Sequence, residues 1–364
     1  MLRKFSVLAI VMALISHTYA QDSTAPVKTG PTITGSADVY FRYGFNNHKE
    51  SPYNSYTSFT TSHNSFELGM ASVKLEHSFG KAGVVVDLGF GRRAEDFSYN
   101  DGEGDSEVGK NGFFSMAMIK QLYLTYSPSD KVKFTFGSFG THIGYELLDA
   151  YLNRNYSMSY GFSYGPFFHT GIKADFTLSG QSGLMVGVIN PTDLKTASGL
   201  PKMFIGQFST GTTDDKLNLY LNFQGGKYLD DSRLYQGDIT ASYAVNSKWG
   251  LGLNATYQTR SFKNGGDDWG DGMGWYGAAL YVNADPTDWL GITLRGEYFN
   301  DDDDVLGFAS SIIVPTLSFN FKVNNLTIIP EFRFDNSSEQ IFFKEDGSGT
   351  KSSGAFILAA HYRF

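Results

Sequence analysis

The sequence predicts an all-β fold: a transmembrane, antiparallel, up-and-down β-barrel of about sixteen strands, with fourteen to eighteen as the range. Three observations predict it. Apolar residues alternate with polar or small ones in segments of about ten residues along nearly the whole chain, and a period of two sends one set to lipid and the other to a lumen. The connections between those segments alternate between short and long, as expected for tight turns at one rim and long loops at the other. Composition agrees, since 31 Phe, 22 Tyr and 41 Gly beside only 10 Pro and 18% charged residues suit strands joined by turns. A mean hydropathy of -0.23 looks soluble, yet a barrel with a polar lumen scores the same way.

In chain order, residues 1–20 read as a secretory signal peptide. Arg3 and Lys4 give a positive start, 5–15 is an almost unbroken apolar run, and Thr18, Tyr19 and Ala20 offer a cleavage site before Gln21. That run is shorter than the ~20 apolar residues of a membrane helix, and no later segment supplies them. Residues 21–31 form a short polar periplasmic leader, and 32–364 a single barrel. With no cysteine there is no disulfide framework, no thiolate metal site and no lipid-anchored N-terminal cysteine. Export then ends in the periplasm, the medium or the outer membrane, and the Gly-rich, aromatic-rich, alternating composition selects the outer membrane of a Gram-negative cell.

Within the barrel, the segment 217–224 sets Leu217, Leu219, Leu221 and Phe223 on one face and Asn218, Tyr220, Asn222 and Gln224 on the other. Residues 316–323 do the same with Leu317, Phe319, Phe321 and Val323 against Thr316, Ser318, Asn320 and Lys322. Alternation is equally clear in 172–178, 239–245, 249–258, 291–298 and 326–335. Short connections fall at 80–82, 127–130, 180–182, 211–215, 246–248, 285–288 and 324–325, rich in Gly, Pro, Asn, Asp and Ser. Long ones fall at 46–64, 93–117, 140–166, 191–200, 226–233, 261–273, 301–309 and 336–354. An even strand number returns the C-terminus to the short-turn side. The last strand, 356–364, aligns Phe356, Leu358, Ala360, Tyr362 and Phe364 and ends on an aromatic residue, like the signal by which barrels are recognised for insertion. Tyr43, Tyr126, Trp249, Trp289, Tyr298 and Tyr362 suit the two interfacial girdles.

About sixteen strands enclose an aqueous channel unless something inserts. The third long loop, 140–166, is the candidate: 143–153 can make one or two helical turns, and 156–164 is aromatic and punctuated by glycine. So apolar a loop is expected to fold inward. Strand phase turns Arg42, Lys74, Lys133, Lys173, Arg295, Arg333 and Arg363 inward, with Asp38, Glu76, Asp87, Asp175, Asp238, Glu297, Glu331 and Asp335, so neither sign prevails. Arg295 and Glu297 beside Glu331 and Arg333 are expected to brace the wall.

The stretch FGTHIGYE at 139–146, followed by NRNYSMSYGFSYGPFFHTG at 153–171, resembles the OmpL-like β-barrel porin family common in Bacteroidota. The preceding IKQLYLTYSPSDKVKFTFGSF and the following GIKADFTLSG also fit. The resemblance is close over 118–190 and compositional elsewhere. It implies an outer-membrane porin and brings no ligand residues. Because it falls on the loop expected to narrow the lumen, Thr141, His142, Tyr145, Glu146, Arg154 and His169 are the expected pore-lining residues, joined from the wall by Lys173, Arg42, Arg295, Glu297 and Arg333.

Passive diffusion of small hydrophilic solutes or ions is the expected function, with membrane lipid and lipopolysaccharide as surroundings and a homo-trimer as the assembly common for large porins. The alternative is an adhesion or binding barrel acting through its long loops, especially 46–64 and 93–117. Other chemistry fits poorly. His142 and Glu146, four apart, lack a third metal ligand and read as a hydrogen-bonded pair. Asp101, Glu103 and Asp105 open like an EF-hand, but Ser106 and Gly112 stand where Gly and Glu belong. The acidic runs 301–304 and Asp267, Asp268 and Asp271 read as solvated loops, with divalent cations as the other reading. A net charge of -8 argues against nucleic acid. No nucleophile, base and orienter form a recognisable set, so neither an enzyme nor a cofactor is expected.

Overall fold

The computed structural model describes residues 30–102, 116–264 and 268–364, without the side chains of 101 and 102. The signal peptide, most of the leader, most of the EF-hand-like stretch and Asp267 lie outside the described residues. Strands β1 (Thr32–Gly44), β2 (Ser65–Phe79), β3 (Ala82–Phe90), β4 (Ile119–Ser129), β5 (Val132–Gly140), β6 (Phe168–Thr177), β7 (Gly183–Ile189) and β8 (Met203–Gly211) make the first half. The second half is β9 (Leu217–Leu229), β10 (Ser232–Ala244), β11 (Trp249–Phe262), β12 (Met273–Thr287), β13 (Leu290–Asn300), β14 (Ser311–Val323) and β15 (Leu326–Ser337). A small hairpin, β16 (Phe342–Phe343) with β17 (Gly349–Thr350), precedes the last strand, β18 (Ser352–Arg363).

Leaving out that hairpin, each strand pairs with its neighbours in the chain and β1 closes on β18 antiparallel, from Ser36 against Arg363 to Gly44 against Ala355. The sixteen-strand closed barrel expected from the sequence is borne out. Among the described residues no helix is long and apolar enough to cross a membrane.

Burial is inverted relative to a water-soluble protein. On β10, β11, β13 and β15 the outward Ile239, Leu251, Leu253, Leu294, Phe332 and Phe334 are exposed, while the inward Asp238, Asn254, Thr256, Arg295, Glu297, Glu331 and Arg333 are buried. Only a solvent of lipid makes that arrangement favourable, since exposed apolar rows otherwise forfeit about 25 cal/mol per Å². Tyr43 and Tyr298 stand exposed toward the long-loop rim, and Tyr126, Trp249, Trp289 and Tyr362 toward the short-turn rim.

One long connection differs from expectation. Residues 226–233 are not a loop: β9 and β10 run through them and turn at Asp230 and Asp231. The stretch is polar enough to look like a long connection, but its residues continue the ladder, and a Cβ at the preceding Gly225 would lie 2.4 Å from the Tyr235 ring, so glycine there admits a cross-strand aromatic. In the third long connection the helical content is one 3-10 turn, Ala150–Leu152, and a short helix, Tyr160–Ser163, whose N-cap Ser159 accepts from the Phe162 amide. At the long-loop mouth, 45–64 and 338–351 bind one another: Asn54 Nδ2 donates to the Phe343 carbonyl (2.7 Å) and Tyr56 Oη to that of Ile341 (2.7 Å).

Candidate pore constriction

Between β5 and β6 the chain leaves the wall for residues 141–167, and its polar groups meet inward-facing wall residues over much of the circumference. On β13, Arg295 donates to Glu146 Oε1 of the loop (2.5 Å) and to the Ser157 carbonyl (2.7 Å), while Glu146 Oε2 accepts from the Ser159 amide (2.7 Å) and hydroxyl (2.9 Å). Glu331 on β15 accepts from the amides of Tyr156 (2.7 Å) and Ser157 (3.0 Å). Arg333, held by Asp335 (2.8 Å), donates to the Met158 carbonyl (2.6 Å), and Glu297 accepts from the Gly161 amide (3.0 Å). Tyr156 Oη donates to Asp38 on β1 (2.6 Å), and Arg93 Nε lies 3.8 Å from the same carboxylate. Lower in the barrel, Arg154 forks onto Asp285 (2.9 and 3.1 Å), which Lys322 also reaches.

The opposite wall holds the start of the loop. Asp238 on β10 accepts from the Gly144 amide (3.2 Å), and His142 Nε2 reaches the Phe223 carbonyl (3.1 Å). The Tyr145 ring stacks on Tyr281 with centroids 4.3 Å apart, over Gly252, where a Cβ would lie 2.6 Å from that ring. Lys120 bridges Asp87 (3.1 Å) and Asp149 (2.6 Å). At the loop's end Asp193 Oδ1 accepts from the amides of Phe167 (2.7 Å) and Phe168 (3.0 Å). Burial pushes the Asp193 carboxyl up to about 7 against those two donors.

The expected pore-lining residues fall into three groups. Thr141, His142, Tyr145, Arg154 and Lys173 are partly exposed, Lys173 beside Asp175 at 3.2 Å. Glu146 of the loop and His169, Arg295, Glu297 and Arg333 of the wall are buried where loop and wall meet, Arg295 and His169 completely; they hold the two together and do not face open water. Arg42 stands apart, buried against the 45–64 loop through the carbonyls of Tyr53, Asn54 and Ser62. His142 and Glu146 do not pair, since each turns to a different wall; instead the His142 and His169 rings lie 5.3 Å apart, with Thr141 and Thr192 on the His169 nitrogens. Among the described residues no cluster of three or more His, Cys, Asp or Glu is arranged to hold a metal.

Strand phase had turned Asp38, Asp238 and Glu331 inward without marking them as partners of the loop. Lys120, Asp149, Asp285 and Asp193 carried no signal, lying at strand ends or in loops whose fold the pattern does not specify.

Solved structures of similar fold include the anion-selective porin from Comamonas acidovorans, at 11% identity and TM-score 0.60, covering 92% of this chain and 99% of that one. The outer membrane channel DcaP of Acinetobacter baumannii matches at 13% identity and TM-score 0.57, covering 93% and 99%. A trimer form of OmpT, an outer membrane protein of Vibrio cholerae, matches at 10% identity and TM-score 0.56, covering 92% and 99%. At such identities the likeness carries the fold alone. No curated protein sequence matches this chain. The family described as "Putative beta-barrel porin-2, OmpL-like" matches residues 30–364, the whole barrel, and the chain belongs to that outer-membrane β-barrel porin family.

Proposed function

We propose that this protein is a passive channel of the outer membrane, admitting small hydrophilic solutes or ions past a constriction formed by 141–167. The observation that carries the reading is that loop itself, laid across a sixteen-strand lumen and tied to walls on both sides. Its fixed position sets the passage by geometry. The partly exposed Thr141, His142, Tyr145, Arg154 and Lys173 line that passage, and the buried Glu146, Arg295, Glu297 and Arg333 brace it. Export through the periplasm follows signal cleavage near Ala20, leaving 21–31 as a periplasmic leader. The exposed apolar belt meets lipid, with lipopolysaccharide at the outer rim, and the assembly is a homo-trimer, a form one structural neighbour takes.

Conductance of the refolded, detergent-purified protein in a planar bilayer under a salt gradient tests this. Stepwise ohmic openings are expected, with a reversal potential that reports ion preference. Silence from a folded barrel would refute an open pore and leave a binding barrel acting through its outer loops.

A further inference from the structure

Above the constriction the long-loop mouth encloses a basin of about 520 Å³, within the roughly 300–1,000 Å³ of small-molecule sites. Loop 45–64 contributes Tyr56 and Thr61, the short helix Arg92–Phe97 Asp96, the constriction loop Tyr164 and Phe167, and the upper ends of β9 and β11 Tyr228 and Arg260. Tyr99, 50% exposed, stands at the side. We propose that this basin is a saccharide-binding site at which a neutral sugar stacks on the tyrosines and shares its hydroxyls between the Arg260 guanidinium, Asp96 and the hydroxyls of Thr61 and Tyr228.

The lining chooses the ligand class. Tyr99 and Tyr228 supply partly open rings with polar edges, Tyr228 with the Arg260 guanidinium 6.0 Å from its centroid, and Tyr56 and Tyr164, packed on Phe308 at 5.7 and 5.4 Å, back them; such rings match the C–H faces and hydroxyl rims of a pyranose and suit a lipid tail poorly. The charges oppose an ionic ligand. Two carboxylates, Asp96 and Asp193, repel an anion, and both are already engaged by the protein: Asp193 by the Phe167 and Phe168 amides and the Tyr99 hydroxyl (3.3 Å), Asp96 by the Phe59 amide (3.3 Å). A cation would therefore compete with existing donors.

What remains for a ligand is a mixed set of donors and acceptors. Arg260 uses Nε on Gln258 (2.9 Å), and among the described residues its two terminal nitrogens have no hydrogen-bond partner. Asp96 keeps Oδ1. A sugar hydroxyl, donor and acceptor at once, satisfies both kinds of group, and a site built to bond hydroxyls rejects analogues lacking them. The basin is floored by 163–167, so a bound sugar would rest on the constriction loop.

The test is calorimetric titration of the refolded full-length barrel in detergent with maltotriose, against a polyethylene glycol of matched size and against choline. Saturable maltotriose binding with a Kd of about 1 mM, absent for the glycol and weaker for choline, is expected. Tyr99→Ala and Arg260→Ala, each checked for folding by heat-modifiable migration, should weaken binding at least about tenfold. Absence of maltotriose binding, binding unchanged in both folded variants, or tighter binding of choline would each overturn the site. Because the titration needs no current, a barrel that binds but does not conduct sinks only the channel reading, and one that conducts without binding sinks only this site.

Discussion

Replacing Glu146 with Gln should unlatch the constriction while leaving the barrel wall intact. The side chains of Glu146 and Arg295 are 4% and 0% exposed, so solvent screens neither. Gln keeps an oxygen for the Ser159 amide and hydroxyl, but it then turns an NH2 toward Arg295, donor against donor. The guanidinium keeps the carbonyls of Ser157 and Met158 and the Thr316 hydroxyl and loses its bonded carboxylate. Stranding one partner of a buried pair costs about 3–5 kcal/mol. At about 1.4 kcal/mol per decade, the lower figure cuts the ratio of docked to undocked loop by roughly a hundredfold. Single-channel recording should show this as bursts of larger conductance, and limited proteolysis as faster cleavage within 141–167. Glu146→Gln with Arg295→Met removes the orphaned charge and should be quieter than Glu146→Gln alone, a coupling a double-mutant cycle reads directly. Wild-type conductance and protease resistance in Glu146→Gln, or strictly additive single effects, would refute the latch.

Three further outcomes follow from the same contacts. Lys173→Glu exchanges a partly exposed cation beside the constriction for an anion, so the zero-current potential in a potassium chloride gradient should move toward cation preference; an unmoved potential would put Lys173 off the passage. Asp193, raised to about 7 from 3.8, binds a proton more tightly in the folded loops than in the unfolded chain, so its contribution to loop stability is full below about pH 4 and is lost as pH rises through about 7. Exchange protection of the Phe167 and Phe168 amides should therefore fall from about pH 5 to 8 and stay level in Asp193→Asn, whereas loss of protection on acidification would reverse the argument. Finally, the C-terminal Phe364 bonds Gly35 in both directions (2.9 and 3.0 Å) and lays its ring where a Cβ would come within 2.5 Å, so Gly35→Val should cost about 1–3 kcal/mol of overpacking and lower the temperature at which the barrel loses its heat-modifiable migration; an unchanged temperature would mean that the ring can leave freely.

Most of the barrel was legible because lipid outside and a polar lumen inside write period two into nearly every strand, as at Leu217 to Gln224. The constriction was legible only in part. Strand phase turned Arg295, Glu297, Glu331 and Arg333 inward, and an apolar third loop had to cover something, but phase does not say which carboxylate meets which amide. Arg42 shows the limit: its phase is inward and its height on β1 delivers it to the neighbouring loop, a distance along the strand that alternation does not measure. The misread 226–233 loop has the same origin, since a polar stretch looks like a long connection unless the cross-strand register that pairs Lys227 with Arg233 is known.

The loop and the wall satisfy each other's backbone. A segment crossing a lumen away from its own sheet leaves amides and carbonyls without ladder partners, and each buried orphan is costly. Here wall carboxylates take the amides, Asp238 that of Gly144, Glu331 those of Tyr156 and Ser157, and Glu297 that of Gly161. Wall guanidiniums take the carbonyls, Arg295 that of Ser157 and Arg333 that of Met158. Both signs are therefore required inside, which accounts for a lumen in which neither prevails. Those pairings also fix the position of the loop, because sliding it would part Glu331 from the Tyr156 and Ser157 amides and Arg333 from the Met158 carbonyl. It follows that reversing a sign, as in Glu331→Lys, should release the loop more completely than neutralising it in Glu331→Gln, and single-channel noise in the two variants ranks them; equal noise would mean that packing of Tyr156, Met158 and Tyr160, not charge, holds the loop in place.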